Sequence, residues 1–269
     1  MKLLVKGDDY GITKAVTLGI IEAFDNGILT SSGMFTNMEI APWAAQFVKE
    51  RPSCCFGIDF NLVCGPCVAN PHLIPHLVDQ NGRFISSKKR VNEEKWNTLE
   101  GQEELLPYEE VYIEVKAQYN RFIELCNRKP AYLCGHSIQT KSMEKAYRTL
   151  SEETGVPFCD DVYRKYNIID FRYIPKINYY TEKENKKITD VILQLNRNPM
   201  KIFFDNLDYY SRFEYILLVC HPGYLDAELL KLSSCSIERI RDLEFFLAPE
   251  MKNFVKENHI ELLSFFDFQ

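Results

Sequence analysis

Short apolar runs and helical segments alternate along this chain from end to end, with no Ser/Gly linker and no detectable internal repeat. KLLV, SSGMFTN (31–37), CCFGIDFNLV (54–63), AYLCGHSI (131–138), VPFC (156–159), KIFF (201–204), EYILLVC (214–220) and ELLSFF (261–266) have the length and apolar content of buried strands. Between many of them lie helical patterns. In 14–26, Val16, Ile20 and Phe24 recur every four residues and Gly27 stands as a stop. In 109–127, Val111, Val115, Phe122 and Cys126 mark one face and Pro130 closes it. TDVILQLNRNP (189–199) reads as a further helix before a strand. Such alternation predicts an α/β fold of mostly parallel strands with helical crossovers, closed into a barrel or open and doubly wound. One domain over 1–269 is expected. A long polar segment at 81–108 is its one excursion, placed over an end of the sheet as a lid.

Charge and cysteine content narrow the partners. With 32 Lys and Arg against 38 Asp and Glu, the net charge is −6, and the cations are dispersed. A nucleic-acid partner would call for clustered cations. Apolar stretches such as YILLVC are strand-sized, far short of a membrane span. MKLLV opens the chain as a strand without the pattern of a cleavable signal, so a cytoplasmic setting is expected. The nine cysteines are odd in number, and Cys134, Cys159 and Cys220 lie inside apolar runs. They read as small buried thiols in a reducing compartment. Cys64-Gly-Pro-Cys67 has C-x-x-C spacing, but a redox centre needs a helix starting at its first Cys. VANPHLIP follows instead, which favours a structural role.

The stretch VKGDDYG (5–11) sets two carboxylates side by side at a strand end. Asp8 and Asp9 end the first strand, and Asp59 and Asn61 lie late in the third on one face. His136 is late in the fourth, and His221 follows YILLVC directly. Each has an ordinary alternative, such as a helix-capping turn for the Asp pair or a hydrogen-bonded core position for a histidine. In parallel α/β folds, however, the C-terminal strand ends share one rim, where active sites are built. Asp9, Asp59 and His136 form a set of two carboxylates and one imidazole suited to a single divalent ion, Zn, Mn or Mg. Such an ion would neutralise the crowded carboxylates. One aspartate would bind it and the other would take a proton from its acidified water. His221 would act as an acid on the far side of the substrate.

The chain also resembles the YdjC-like carbohydrate deacetylases, a family that includes chitooligosaccharide deacetylases. The resemblance is carried by KGDDYGITKAVTLGIIEAFDNGILTSSGMFTN (6–37), FGIDFNLVCGPCVANPHLIPHLVDQNGRFIS (56–86), PAYLCGHSIQT (130–140) and VCHPGY (219–224). It implies an irregular β/α barrel of the sugar deacetylase type, one divalent metal, and hydrolysis of an N-acetyl group on a small sugar or chitooligosaccharide. By position, Asp9 and His136 match metal ligands, Asp8 the general base, and His221 a motif lining the same site. Tyr10, Asn37, Asn61 and Trp43 are candidate sugar contacts. Separately from the resemblance, the partners considered are a small acetylated sugar and a second copy of the chain as a homodimer.

Three departures stand out. Where the family has a histidine, this chain reads Gly57-Ile58-Asp59-Phe60. Where it has His-x-His-x-His, this chain reads His136-Ser137-Ile138-Gln139-Thr140. An arginine after the fifth strand gives way to Asp160 and Asp161 in VPFCDDVYRKY. Exchanging His for Asp favours harder ions such as Mg or Mn. Losing the two later histidines removes proton donors. The alternatives are a sugar-binding relative without deacetylation, a glycosidase with paired carboxylates, and a thiol redox protein using Cys64 and Cys67.

Overall fold

The computed structural model describes residues 1–171 and 191–268. Its strands, in chain order, are β1 (Lys2–Tyr10), β2 (Ser31–Met34), β3 (Cys55–Phe60), β4 (Leu133–Gly135), β5 (Ile169–Asp170), β6 (Tyr215–Cys220) and β7 (Glu261–Leu263). The helices up to the undescribed stretch are α1 (Lys14–Asn26), α2 (Ala41–Glu50), α3 (Ser87–Val91), α4 (Leu99–Leu105), α5 (Tyr108–Cys126), α6 (Lys141–Thr154) and α7 (Cys159–Tyr166). After it come α8 (Val191–Asn196), α9 (Pro199–Asp205), α10 (Leu207–Tyr210), α11 (Leu229–Leu232), α12 (Glu238–Leu247) and α13 (Pro249–Glu257).

The described chain divides into two compact units. The first comprises Met1–Ser32, Ser53–Cys55 and Asp161–Gln269, and the second Gly33–Pro52 and Phe56–Asp160. Strand β2 passes from one to the other between Ser32 and Gly33.

In the first unit, β1 pairs in parallel with β6 from Lys2↔Tyr215 to Gly7↔Cys220, and with β7 from Lys2↔Glu261 to Leu4↔Leu263. β5 lies parallel to β6. Leu3, Leu4, Val5, Ile216 and Leu218 are buried, as their apolar runs require. Thr13 caps α1 by accepting from the Val16 N–H at 3.4 Å, and Val16, Ile20 and Ala23 are buried. Gly27 does end α1, but with extended backbone, not the left-handed stop that the sequence suggests. A Cβ there would lie 2.7 Å from the Ala23 oxygen and 2.8 Å from that of Phe246, so close packing demands the glycine. Phe203, Tyr210, Phe245 and Phe254 meet in an aromatic cluster, with the Phe203 and Tyr210 rings stacked at 5.4 Å.

In the second unit, β3 and β4 pair in parallel from Ile58↔Leu133 to Phe60↔Gly135. α5 buries Val111, Val115, Phe122 and Cys126, the face expected from the sequence, and ends at Asn127 in the left-handed conformation. The polar excursion folds locally. Two antiparallel bridges, Pro66↔Arg83 and Val78↔Phe84, anchor its start, and α3 and α4 follow.

Two expected strands are otherwise. KIFF lies in α9, because Asn198 caps the Lys201 N–H at 2.9 Å and Pro199 starts the helix. VPFC contributes only the bridge Leu133↔Phe158, and α7 begins at Cys159. That bridge sets Cys134 beside Cys159, so these two are not separate thiols. They form a disulfide with Cα atoms 5.4 Å apart. The helix expected over 189–199 is α8, and positions 189–190 fall outside the described residues. Among the described residues, no helix is long and apolar enough to cross a membrane.

Candidate functional site

The end of β1 carries Lys6, Asp8 and Asp9 in close succession. Strand alternation puts Lys6 and Asp8 on one face and Asp9 on the other. Lys6 is 2% exposed, and its ammonium forms an ion pair with the half-buried Asp8. Asp9 adopts a left-handed backbone, φ 69°, a conformation that Asp tolerates better than most residues, and its carbonyl accepts the Ile12 N–H at 3.1 Å. This turn directs the Asp9 carboxylate to Arg239 on α12. Arg239 Nη2 donates to Asp9 Oδ2 at 2.6 Å, and both residues are 1% exposed. Two neighbouring carboxylates therefore each meet a cation supplied by the chain.

Helix α12 also reaches the segment after β6. One turn beyond Arg239, Asp242 Oδ2 accepts the His221 backbone N–H at 2.8 Å. Arg197 Nη1 binds Asp242 and Glu238, at 3.2 and 2.8 Å. The Arg239 carbonyl accepts the Gly223 N–H at 3.2 Å, and its Nε donates to the Cys235 carbonyl at 2.8 Å. His-Pro-Gly-Tyr (221–224) is thus tied to α12. It also lies on α1, since a Cβ at Gly19 would sit 2.7 Å from both Gly223 Cα and the Tyr224 nitrogen. Pro222 covers Gly7. Burial lowers the His221 pKa despite the nearby Asp9 carboxylate, which favours the neutral imidazole. Burial works likewise against the Arg239 charge, but Cys235 and Asp9 more than restore it, so the guanidinium holds its proton more firmly.

In the second unit, the buried Asp59 is the next-to-last residue of β3. Its carboxylate lies directly on the Gly33 backbone, because a Cβ there would come within 2.0 Å of Oδ1. His136 is half-buried after β4, its ring edge-on to Phe35 at 4.7 Å, and Ser137 follows with φ 66°. Gln139 donates to Asp160 Oδ2 at 3.2 Å, beside the Cys134–Cys159 bridge.

The expected sugar contacts are placed differently. Tyr10 is fully buried. Asn37 and Asn61 are buried and support the loop that follows β3. Asn37 Nδ2 donates to the carbonyls of Cys64 and Pro66, and Asn61 Oδ1 accepts the N–H groups of Val63 and Cys64. Gln118 braces Asn61 through its backbone, accepting its N–H at 3.2 Å and donating to its carbonyl at 2.8 Å. Glu114 accepts the Val68 and Ala69 N–H groups. These amides are spent on scaffold, not displayed to a ligand. Trp43 packs against Phe47 on α2, edge-on at 5.0 Å. Cys64 and Cys67 are not bridged, and burial, then Glu114, pushes the Cys67 thiol up, contrary to what a reactive thiol needs.

Within the first unit, the charged groups around Asp9 do not suit the metal expected there; Asp59 and His136 belong to the second unit. Asp9 Oδ2 is engaged by Arg239, and Lys6 holds Asp8. Among the described residues, no group of three or more His, Cys, Asp or Glu side chains is gathered to hold an ion. Lys6, Arg239 and Asp242 are the residues that sequence reasoning passed over. Lys6 was readable as a cation within an apolar strand, two places before Asp8. Arg239 and Asp242 are charged residues three apart, on the helix face that carries Leu243 and Phe246.

Comparison with known proteins places the chain in a family. A family model described as YdjC-like protein covers residues 2–257. The chain is 31% identical to Carbohydrate deacetylase 2 of Listeria innocua serovar 6a, over 99% of this chain and 98% of the relative. It is 26% identical to Chitooligosaccharide deacetylase of Escherichia fergusonii, over 98% of both chains. A crystal structure of an Enterococcus faecalis V583 protein shares the fold with a TM-score of 0.76 at 23% identity, covering 99% of this chain and 98% of that one. The α/β fold is therefore of the type that the sequence suggests, and the chain belongs to the YdjC-like protein family.

Proposed function

We propose that this protein is a carbohydrate deacetylase, hydrolysing the N-acetyl group of a small acetylated sugar or chitooligosaccharide. The observation that carries this reading is the strand register: Gly7 pairs with Cys220, so Asp8 and His221 are the next residues on adjacent parallel strands. A carboxylate and an imidazole so placed can handle both proton transfers of an amide hydrolysis. Two relatives, from Listeria innocua and Clostridium beijerinckii, are named as carbohydrate deacetylases and support the same class of reaction.

In the proposed sequence, Asp8 accepts a proton from the water that attacks the acetyl carbonyl carbon. The tetrahedral intermediate then collapses, the C–N bond breaks and acetate leaves. The proton taken by Asp8 returns through His221 to the departing amine, so water and amide are consumed and no proton is gained or lost before acetate ionises. The Lys6 ammonium holds the Asp8 carboxylate in position. Asp242 fixes the His221 backbone. No step is routed through a divalent ion, because the ion pairs on Asp8 and Asp9 do not fit one.

A second reading has its own support. With Asp8 and Asp9 already neutralised by Lys6 and Arg239, the protein suits a sugar-binding relative that leaves the acetyl group in place. Acetate release from N-acetylated chitooligosaccharides separates the two. Deacetylation predicts release that Asp8→Asn abolishes while sugar binding persists. Normal turnover by Asp8→Asn would overturn the base assignment. Calorimetric sugar binding with no acetate from the wild type would establish the second reading.

A further inference from the structure

Adjacent carboxylates, Asp9 buried and Asp8 half-buried, call for a compensating charge, because an ionised group taken out of water is costly unless paired. At the end of β1 that charge comes from two positions in the chain. Lys6 precedes Asp8 by two residues on the same face of the strand, and Arg239 reaches Asp9 from α12. Neither cation is incidental to the surface, since Lys6 is 2% exposed and Arg239 1%. With two carboxylates and two cations, the group is electrically neutral.

Each cation is also held in place by its surroundings. Lys6 belongs to a strand paired on the β6 side as Lys6↔Val219, between buried Val5 and a Gly7 covered by Pro222. Arg239 is fixed along its length by Nε to the Cys235 carbonyl, and its own carbonyl holds Gly223. A dication entering this group would face an ammonium and a guanidinium that the fold does not let withdraw. Like charges in a region of low dielectric repel strongly.

We propose that Lys6 and Arg239 are the resident cations of the Asp8–Asp9 pair, occupying the place that the family resemblance gives to a divalent metal, so that the pair takes no such ion. Lys6 acts as a positioning residue that closes the pair to metals, and Arg239 orients Asp9. The inference is independent of whether acetate is released. An inactive protein would remove the proposed activity and leave this charge assignment standing, and a metal isotherm would do the reverse.

Calorimetric titration of the chelator-treated full-length chain with Mn²⁺ and with Zn²⁺ tests it, alongside Asp9→Asn, Lys6→Gln and Lys6→Arg. The expected wild-type result is no saturable one-to-one binding that depends on Asp9. Lys6→Gln is expected to gain affinity at least tenfold, a gain lost again in Lys6→Gln/Asp9→Asn. Lys6→Arg keeps the charge and is expected to stay inert. One-to-one binding by the wild type that Asp9→Asn weakens tenfold or more would overturn the proposal, and this arm needs only the folded wild type and one isosteric variant. A folded Lys6→Gln protein with no gain would overturn the role of Lys6. Binding that Asp9→Asn leaves unchanged lies elsewhere and supports the proposal.

Discussion

Arg239 and Asp9 are 230 positions apart in the chain and 2.6 Å apart in space, with neither side chain reaching solvent. A pair so buried stabilises little compared with an apolar substitute, yet breaking it from one side strands a charge. Arg239→Met is therefore expected to cost about 3–5 kcal/mol, and Arg239→Met/Asp9→Asn less than the sum of the single changes. Urea denaturation of the four proteins gives the coupling energy. Additivity within about 0.5 kcal/mol would mean that the two residues act independently.

Gly19 on α1 faces backbone, not a side chain that could move aside. Gly19→Ala would push its Cβ to 2.7 Å from Gly223 Cα and the Tyr224 nitrogen, so α1 or the segment after β6 must shift. Overpacking of this kind costs about 1–3 kcal/mol. The alanine raises helix propensity by up to about 1 kcal/mol, which offsets part of this. The expected net result is a lowered urea midpoint and weaker turnover through displaced His221. An unchanged midpoint would show that the approach is not tight.

Glu114 provides a pH signature. Burial raises its pKa above the usual carboxylate range, although Gln118 and the Ala69 and Val68 N–H groups work against the shift. A raised value in the folded state means that the folded protein binds the proton more tightly than the unfolded chain does. The associated stability is fully present below the unfolded pKa of about 4.3 and is lost as pH rises through the higher folded value. Relative to Glu114→Gln, the wild type should lose stability across that interval, measured as urea midpoints from pH 4 to 8. Parallel curves for the two proteins would contradict the assignment.

The Cys134–Cys159 bridge closes a loop of 25 residues, and the other seven cysteines lie outside it as thiols. Denatured, unreduced protein should therefore titrate seven thiols and the reduced protein nine. Closing a loop of that length corresponds to about 3–4 kcal/mol in the chain-entropy account, so Cys134→Ser/Cys159→Ser should unfold at lower urea. Nine thiols without reductant would show that the pair is reduced in the isolated protein.

The alternation of strand and helix was legible because buried parallel strands need continuous apolar runs, and β1, β3 and β6 lie where LLV, CCFGIDF and YILLVC put them. KIFF misled because an apolar run of four fits a strand or a helix face equally. The deciding signal was outside it, in the Asn198-Pro199 start. Asp8, Asp9 and His221 could be found at strand ends by position alone. Their counter-charges were harder. Lys6 is local and follows from period-two alternation, whereas Arg239 depends on a contact across 230 positions that no nearby pattern announces. The loop-supporting hydrogen bonds of Asn37 and Asn61 were hidden for a related reason. A polar residue at a strand end looks the same in sequence whether it supports a loop or awaits a ligand.

The crossing of β2 between the units has a consequence for synthesis on the ribosome. The second unit is nearly continuous in sequence, whereas the first joins residues 1–32 to everything after 160. β1 emerges first, yet its partner β6 begins at Tyr215 and β7 at Glu261. For most of translation β1 lacks its β6 and β7 partners and Asp9 lacks Arg239, while Lys6 and Asp8 already stand two residues apart. Assembly of the Asp8–Asp9 group is thus a closing event in the life of the nascent protein, and the N-terminal strand is the segment most in need of protection until then.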